Sequence, residues 1–258
     1  MEYSNILVDR QEQIGIITLN RPQAMNTFNV PFARELNAAL WEMEDDPGIR
    51  VVVIDANGKH FSTGIALEEF KGKTNNEYRE FIRLMDEHNH TIARMKKPVI
   101  ASVKGFALAN GAGLSFACDL TVAAEDAKFG TTAINVGLIC LGPAAPLVRN
   151  VGRKKALELV LTGDMITAAE AQRLGLVNKV VPPDKLEEAT MDLAKKLASK
   201  SPLALQAGKT GIYGMQDVPY GQALNMLSDR FAALCCTMDA EEGVKAFLEK
   251  RTPIWRGC

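Results

Sequence analysis

Two almost entirely apolar runs limit what the first half of this chain can fold into. Ile49–Asp55 and Pro98–Val103 carry little alternation of polar and apolar residues. Strands of that kind are buried on both faces, as in a parallel sheet covered by helices. Val30–Met43 and Glu77–Met95, in contrast, have the apolar spacing of helices. The first 140 residues therefore alternate strands with helices, which predicts an α/β core.

The stretch between these runs and the middle of the chain predicts further short elements. Gly105–Gly113 is rich in Gly and Ala and is expected to be a loop, followed by a helix that ends at Cys118. Leu120–Ala123 is predicted to be a strand. Lys128–Leu138 is almost uncharged and is predicted to be the end of a strand followed by a loop.

The last third of the chain has a helical pattern. Nearly every residue from Asp184 to Glu249 fits it, which predicts four helices. The predicted breaks are Ser201-Pro202, Gly214 and Asp239. We expect residues 1–200 to form the α/β core and residues 201–258 to form a helical C-terminal region.

Composition excludes several classes of partner and compartment. The chain has 258 residues and a net charge of −1, and no block of like charge predicts a nucleic acid or membrane partner. Its five cysteines include no Cys-x-x-Cys pair, which favours reduced thiols. Its first residues do not resemble a signal peptide, and it has no apolar run of membrane-spanning length. We therefore predict a cytoplasmic protein.

Two motif matches fail on the residues around them. Gly111-Ala112-Gly113 begins like a dinucleotide-binding loop, but Phe116 stands where the third small residue is needed. Ser115 lies in a near match to the nucleophile elbow of α/β-hydrolases. In those enzymes the histidine follows the serine, whereas all three histidines precede it in this chain. The histidines are His60, His88 and His90.

Two turns that follow predicted strands are candidates for binding an oxygen atom. One is Phe61–Ile65, and the other is Ala109-Asn110-Gly111, which opens a helix. The first N–H groups of a helix have no partner within it. One N–H group from each turn can together hold a carbonyl oxygen, as in an oxyanion hole. Tight turns without a ligand account for the same residues.

The histidines of the second predicted helix do not form a metal site. His88 and His90 are two residues apart and point to different sides of a helix, so both are expected to face solvent and no metal is predicted. Asp86 and His90 are four residues apart and share a face. They form either a surface contact or an acid–base pair that faces a cleft.

An ordered set of short motifs along the whole chain resembles the enoyl-CoA hydratase/isomerase, or crotonase, family. The motifs are Thr18–Pro22, Asn26, Gly64–Leu67, Gly105–Gly111, Cys118-Asp119, Phe129-Gly130, Gly137-Leu138, Leu161–Gly163, Ala168–Ala171, Gly175–Val177, Val180-Val181, Glu242-Gly243, Ala246-Phe247 and Lys250–Pro253. The resemblance implies a crotonase-like spiral of strand-strand-helix units with a helical C-terminal trimerisation region, assembled as a homotrimer or a hexamer.

The resemblance also implies the ligand. The substrate is an acyl-CoA thioester of the kind found in fatty acid metabolism, and no cofactor is expected beyond its CoA moiety. The N–H groups of Ile65 and Asn110 would hold the thioester oxyanion. Other residues would bind the substrate, some of them along the adenine end of CoA. These are Gln23, Ala24, Met25, Ala66, Leu67, Glu68 and Gly111.

The chain departs from the family where acids are expected. The two glutamates that hydratases of the family use would stand at positions 113 and 133, and some members carry an aspartate at the position of Leu141. This chain has Gly113 and Ala133 there, so all three acid positions are vacant.

Three explanations of the vacancies are open. Ala133 is an engineered replacement of a catalytic glutamate, or other groups transfer the proton, or the chain binds acyl-CoA without turning it over. The groups available for the second explanation are Asp86, Glu87 and His90 on the predicted helix, and Glu68 and Glu69 beside the first turn. We favour an enzyme that is a lyase or an isomerase and catalyses hydration or a double-bond shift, with thioester hydrolysis as a further option.

Overall fold

The computed structural model describes residues 3–258. Its strands are β1 (Ile6–Gln11), β2 (Ile14–Leu19), β3 (Val51–Ala56), β4 (Val99–Val103), β5 (Phe106–Leu108), β6 (Leu120–Ala124), β7 (Lys128–Gly130), β8 (Met165–Thr167) and β9 (Lys179–Val181). Its α-helices are α1 (Val30–Asp45), α2 (Asn75–Arg94), α3 (Asn110–Ala117), α4 (Leu141–Val151), α5 (Arg153–Thr162), α6 (Ala168–Arg173), α7 (Leu186–Ala198), α8 (Pro202–Met215), α9 (Tyr220–Cys235) and α10 (Met238–Leu248).

The strands form two sheets, and from β4 to β7 the chain passes alternately from one sheet to the other. The larger sheet has the order β1-β2-β3-β4-β6-β9, parallel except for the antiparallel pair β1-β2, and the smaller has the order β5-β7-β8. β4 enters the larger sheet, β5 the smaller, and α3 follows. β6 and β7 repeat this path. The chain is therefore a crotonase-like spiral of strand-strand-helix units, as predicted.

The two apolar runs lie at the centre of the larger sheet, buried on both faces as predicted. Alternate residues of β3 point in opposite directions. Val52 and Ile54 pack in the core that α1 and α2 cover, whereas Val51 and Val53 pack beneath α7. Helices on both faces account for the absence of polar alternation in these strands.

One expectation for local structure is wrong, and one helix was not predicted. Gly105–Gly113 is not a loop, because it contains β5 and the first turn of α3. Helix α4 has no counterpart among the predicted elements, and it contains Gly142, Pro143 and Pro146, residues of low helix propensity. Pro143 lies in the first turn of α4, where a proline is tolerated. Pro146 lies inside the helix, and its carbonyl accepts a hydrogen bond from Asn150 Nδ2 at 2.9 Å.

Four helices make up the C-terminal part of the chain, as predicted. The break predicted at Gly214 falls slightly after that residue, and the break predicted at Asp239 falls slightly before it. α9 and α10 leave large apolar side chains in solvent; Phe231 is 66% exposed and Phe247 is 83% exposed. The division of the chain at residue 200 stays a prediction. Within residues 3–258, no helix is both long enough and apolar enough to cross a bilayer.

A buried ion pair attaches the C-terminal helices to the larger sheet. Lys209 of α8 lies 2.7 Å from Asp119 Oδ2, and its side chain is only 6% exposed. The same ammonium group donates to the carbonyl of Lys97 at 2.9 Å, and the N–H group of Val99 donates to Asp119 at 2.7 Å. These contacts fix α8 against the start of β4. The five cysteines are free, as expected.

Candidate active site

An open cleft of about 1230 Å³ lies where α2, the turn after β3, the start of α3 and residues 132–143 meet. Of the residues predicted to act in catalysis or binding, many line it. They are Ala24, Met25, Ile65, Ala66, Leu67, Glu68, Asp86, Asn110, Ala133 and Leu141. The tertiary fold thus gathers on one surface residues that are far apart in the sequence.

The N–H group of Ile65, a residue that lines the cleft, is directed by the neighbouring chain. Phe28 and Ile65 form an isolated parallel bridge. In it the N–H group of Phe28 donates to Gly64 at 2.7 Å, and the N–H group of Ala66 donates to Phe28 at 2.9 Å. In a parallel bridge the residue between those two partners points its own N–H group away from the neighbouring strand.

The N–H group of Asn110 is directed by an unusual backbone conformation. Ala109 has φ 47° and ψ −119°, a region that costs free energy for a residue with a Cβ atom. Ala109 donates to Gly130 at 2.8 Å, and Asn110 then begins α3. Within residues 3–258, neither the N–H group of Asn110 nor that of Ile65 has a protein acceptor.

The two turns touch each other. Gly64 has φ +105°, and a Cβ atom built there would lie 2.7 Å from the Cβ atom of Ala109 and 3.7 Å from the nitrogen of Asn110. Only glycine permits both the conformation and the approach. The two free N–H groups therefore belong to adjacent turns that both line the cleft.

The carboxyl group of Asp86 lies beside the side chain of Asn110. Asn110 Nδ2 donates to Asp86 Oδ1 at 3.1 Å and to the carbonyl of Met85 at 3.2 Å. Burial raises the pKa of the Asp86 carboxyl group to about 6, although the bond from Asn110 and the charge of His90 lower it. A group with that pKa can exchange a proton near neutral pH.

The first turn of α4 is shaped around this carboxyl group. A Cβ atom built on Gly142 would lie 2.2 Å from Asp86 Oδ1 and 2.3 Å from its Cγ and Oδ2 atoms. The next residue, Pro143, stands against Gly113, where a Cβ atom would lie 2.9 Å from the Cγ atom of the proline. Gly142 thus leaves room for one carboxyl group, while Pro143 fills the space beside a vacant acid position.

The other two vacant positions open onto the cleft. Ala133 is half-buried in a 3₁₀ turn, Thr132–Val136, and Leu141 is largely exposed. Cys140 lies between them and lines the cleft with its thiol buried. Burial raises the pKa of that thiol, and the charge of Asp86 adds to the effect, so the thiolate that a nucleophile requires is disfavoured.

Several other predicted site residues lie outside the cleft. Gln23 does not line it, and Gly111 packs against the backbone of Ser62, whose oxygen would lie 2.2 Å from a Cβ atom at position 111. His90 and Glu87 line a smaller groove on the outer side of α2, which Asp86 also reaches. Asp86 therefore lies between the cleft and this groove.

The expectation that His88 faces solvent is wrong. Its side chain is 1% exposed, and its ring lies 5.4 Å from that of Phe28. Burial lowers the pKa of His88 to about 4, so the imidazole is neutral at physiological pH. Helical spacing indicates which residues share a face, but it does not tell which face is covered.

Sequence reasoning missed Gly142 and Pro143. Their importance comes from contacts with Asp86 on α2 and Gly113 on α3, and neither contact follows a periodicity of the sequence. A glycine and a proline in succession indicate a turn when no tertiary structure is known.

Comparisons with known proteins agree with this architecture. The sequence model of the enoyl-CoA hydratase/isomerase family matches residues 9–258. A probable enoyl-CoA hydratase of Rhizobium meliloti is 39% identical over 254 residues, which cover 97% of each chain. The 2,3-dehydroadipyl-CoA hydratase of Escherichia coli is 38% identical over 258 residues, covering 98% of this chain and 99% of that protein.

A solved structure extends the likeness to three dimensions. The crystal structure of an enoyl-CoA hydratase from Mycobacterium smegmatis superposes with a TM-score of 0.94 at 37% sequence identity. The match covers 98% of this chain and 99% of that one.

Proposed function

This chain belongs to the enoyl-CoA hydratase/isomerase family, and we propose that it catalyses proton transfer beside the thioester carbonyl of an acyl-CoA, with Asp86 as the group that carries the proton. One observation supports this most strongly. Asn110 offers its main-chain N–H group to the cleft and holds the carboxyl group of Asp86 with its side chain. The proposed oxyanion donor and the proposed base are thus parts of one rigid unit.

The N–H groups of Ile65 and Asn110 bind the thioester oxygen in this proposal. When a proton leaves the adjacent carbon, the electron pair of the C–H bond forms a C=C bond and negative charge moves to that oxygen. Two fixed N–H donors stabilise this enolate more than the neutral thioester. Losing one donor of this kind typically costs about 10²- to 10³-fold in rate.

Asp86 accepts the proton as a carboxylate and returns it as a carboxylic acid. In a double-bond shift it removes a proton from C2 of a 3-enoyl-CoA and delivers it to C4, which yields the 2-enoyl-CoA. This reaction needs a single acid–base group. Of the two carboxyl groups among the cleft residues that the structure describes, Asp86 is half-buried and Glu68 is exposed. We therefore favour isomerisation.

Hydration is the second candidate. The named relatives are hydratases, and a single carboxyl group that activates water and then protonates C2 completes the addition. Binding without turnover is the third. Gly113 and Ala133 stand where the family carries acids, and an engineered Glu→Ala replacement at position 133 would give the same sequence.

The activity is tested with 3-hexenoyl-CoA and crotonyl-CoA, followed by absorbance and mass. We expect turnover by the chain with Ala133 and no further substitution, its loss in Asp86→Asn and its retention in His90→Gln. Activity that appears only in Ala133→Glu would show that the acid belongs at 133. Tight binding with no turnover in any of these variants would assign the protein a binding role.

We propose further properties of the assembly, the partners and the compartment of the protein. The exposed apolar side chains of α9 and α10 support a homotrimer or a hexamer. The charge balance supports a small-molecule substrate rather than nucleic acid or membrane as partner. We propose that no cofactor beyond the CoA moiety is required and that the protein is cytoplasmic.

A further inference from the structure

The part of the cleft around Asp86 has apolar walls. Ile82 precedes Asp86 by one helical turn on α2, and Tyr78 precedes Ile82 by another, so the three share one face of the helix. All three line the cleft, and Phe70 extends this wall. The opposite wall is the segment that leads from the 3₁₀ turn into α4, and it contributes the side chains of Ile134, Leu138 and Ile139.

The charged side chains that line this cleft are both carboxylates, Asp86 and Glu68. Cationic side chains lie outside the lining of the cleft: Arg83 and Arg94 line the smaller groove that Ile82 and Asp86 also reach, and Lys73 lies behind the aromatic wall. The ammonium group of Lys73 is 4.8 Å from the ring centroid of Phe81 and 5.8 Å from that of Tyr78. It also donates to the carbonyl of Glu69 and lies 4.0 Å from the carboxylate of that residue. Lys73 is therefore already engaged on the far side of the aromatic rings.

From these walls and charges we propose that the acyl group of the substrate is uncharged and apolar, and that the site discriminates against acyl-CoA thioesters that end in a second carboxylate. This inference rests on the proposed function, because it assumes that an acyl-CoA occupies the cleft. It separates this chain from its relative in Escherichia coli, whose name gives it a substrate with a carboxyl group at the far end of the acyl chain.

The physical reason is the cost of removing a charge from water. A carboxylate placed against Ile82, Tyr78 and Ile139 loses part of its hydration and gains no cationic partner from the residues that line the cleft. The ionised form of Asp86 repels it as well, because a like charge acts strongly in a medium of low polarity. An apolar chain of the same length gains from burial against these same side chains.

Two saturated thioesters test the inference by binding alone. Hexanoyl-CoA and adipoyl-CoA have six acyl carbons each and differ in the terminal carboxylate, and neither has a double bond to react. We expect adipoyl-CoA to bind at least about 100-fold more weakly in calorimetry. A ratio above tenfold supports the inference, and a ratio below tenfold overturns it.

A variant of the wall supplies the matched control. Ile82→Arg places a cation beside Asp86 and should reduce the ratio of the two dissociation constants at least about tenfold. Ile82→Met has a similar length without charge and should leave the ratio unchanged. Equal ratios in these two variants would show that this wall does not contact the acyl terminus and would overturn the inference.

The failure of the proposed function gives a different result. If hexanoyl-CoA binds better than adipoyl-CoA but no unsaturated thioester is turned over, the preference for an apolar acyl group is supported and the proposed reaction is refuted. If neither thioester binds, the cleft is not an acyl-CoA site and both proposals fall together.

Discussion

The carboxyl group of Asp86 occupies the space that a side chain at Gly142 would fill. A Cβ atom at position 142 would lie between 2.2 and 2.3 Å from three atoms of that carboxyl group, whereas carbon atoms in contact are about 3.5 to 4.0 Å apart. One residue stands on α2 and the other in the first turn of α4. The identity of residue 142 therefore decides whether Asp86 can keep its position.

Gly142→Ala should displace the Asp86 carboxyl group from the cleft. We expect kcat to fall about 10²-fold, because a small misplacement of a catalytic group has effects of that size, while KM changes little. Gly208→Ala is the matched control, since Gly208 also lies in a helix and a Cβ atom there would meet nothing within 4 Å. Steady-state kinetics compare the two. Equal kcat values in both variants would contradict a positioning role for Gly142.

Asp86→Asn should abolish turnover and at the same time stabilise the folded chain. Burial raises the pKa of Asp86 to about 6, so folding disfavours the ionised form. The free energy of unfolding should therefore rise by roughly 1 to 3 kcal/mol in the variant above pH 6. This gain should shrink as the pH falls from 6 toward 4, because the folded state then binds the proton while the unfolded state, with an ordinary pKa of 3.8, is still partly ionised. It should vanish only well below pH 3.8, where the carboxyl group is protonated in both states. Urea unfolding at pH 8 and at pH 4 measures the difference, and a gain that does not depend on pH would refute the explanation.

Asn110→Ala should move the pH dependence of the rate. The side-chain amide of Asn110 lowers the pKa of Asp86, so its removal should raise that pKa further and shift the rising limb of the kcat profile to higher pH. The main-chain N–H group of residue 110 remains, which should leave KM nearly unchanged. A profile that keeps its rising limb at the original pH would show that this limb does not report Asp86.

A glutamate at position 133 should be compatible with the fold, whereas a glutamate at position 113 should destabilise it. Gly113→Glu forces a Cβ atom to within 2.9 Å of Pro143 and should destabilise the chain by about 1 to 3 kcal/mol, the usual cost of overpacking. Ala133 already has a Cβ atom and faces the cleft, so Ala133→Glu should fold normally. Thermal unfolding of both variants tests this, and equal melting temperatures would contradict the expectation.

Lys209→Met should weaken the attachment of α8 to the core. It leaves Asp119 buried without its cation, and breaking a buried pair in this way costs about 3 to 5 kcal/mol. Urea unfolding should show the loss as a lower midpoint. The double variant Lys209→Met with Asp119→Asn removes the unpaired charge and should recover part of it. A double variant as unstable as the sum of the two single variants would show that the residues do not interact.

The helix α4 that was not predicted and the wrong expectation for His88 have a common physical origin. Gly142, Pro143 and Pro146 disfavour a helix by intrinsic propensity, yet α4 forms because its apolar side packs on the core, where Leu147 is fully buried. His88 has the same spacing from its neighbours whether its face of α2 is covered or open. In each case packing against a distant segment outweighs the local preference.

The sequence by itself determined the alternation of strands and helices, the family, and the two turns that carry Ile65 and Asn110. The alternation depends on apolar periodicity and the turns on backbone conformations that few residues adopt, and both are local properties of a chain. The family follows from the resemblance of an ordered set of short motifs. Only the tertiary structure decided that Asp86 faces the cleft while His90 does not. It also decided that Pro143 stands beside Gly113, and that Gly142 makes room for a carboxylate from another helix. Close contacts between α2, α3 and α4 depend on how three helices pack together, and packing of that kind has no period along the sequence.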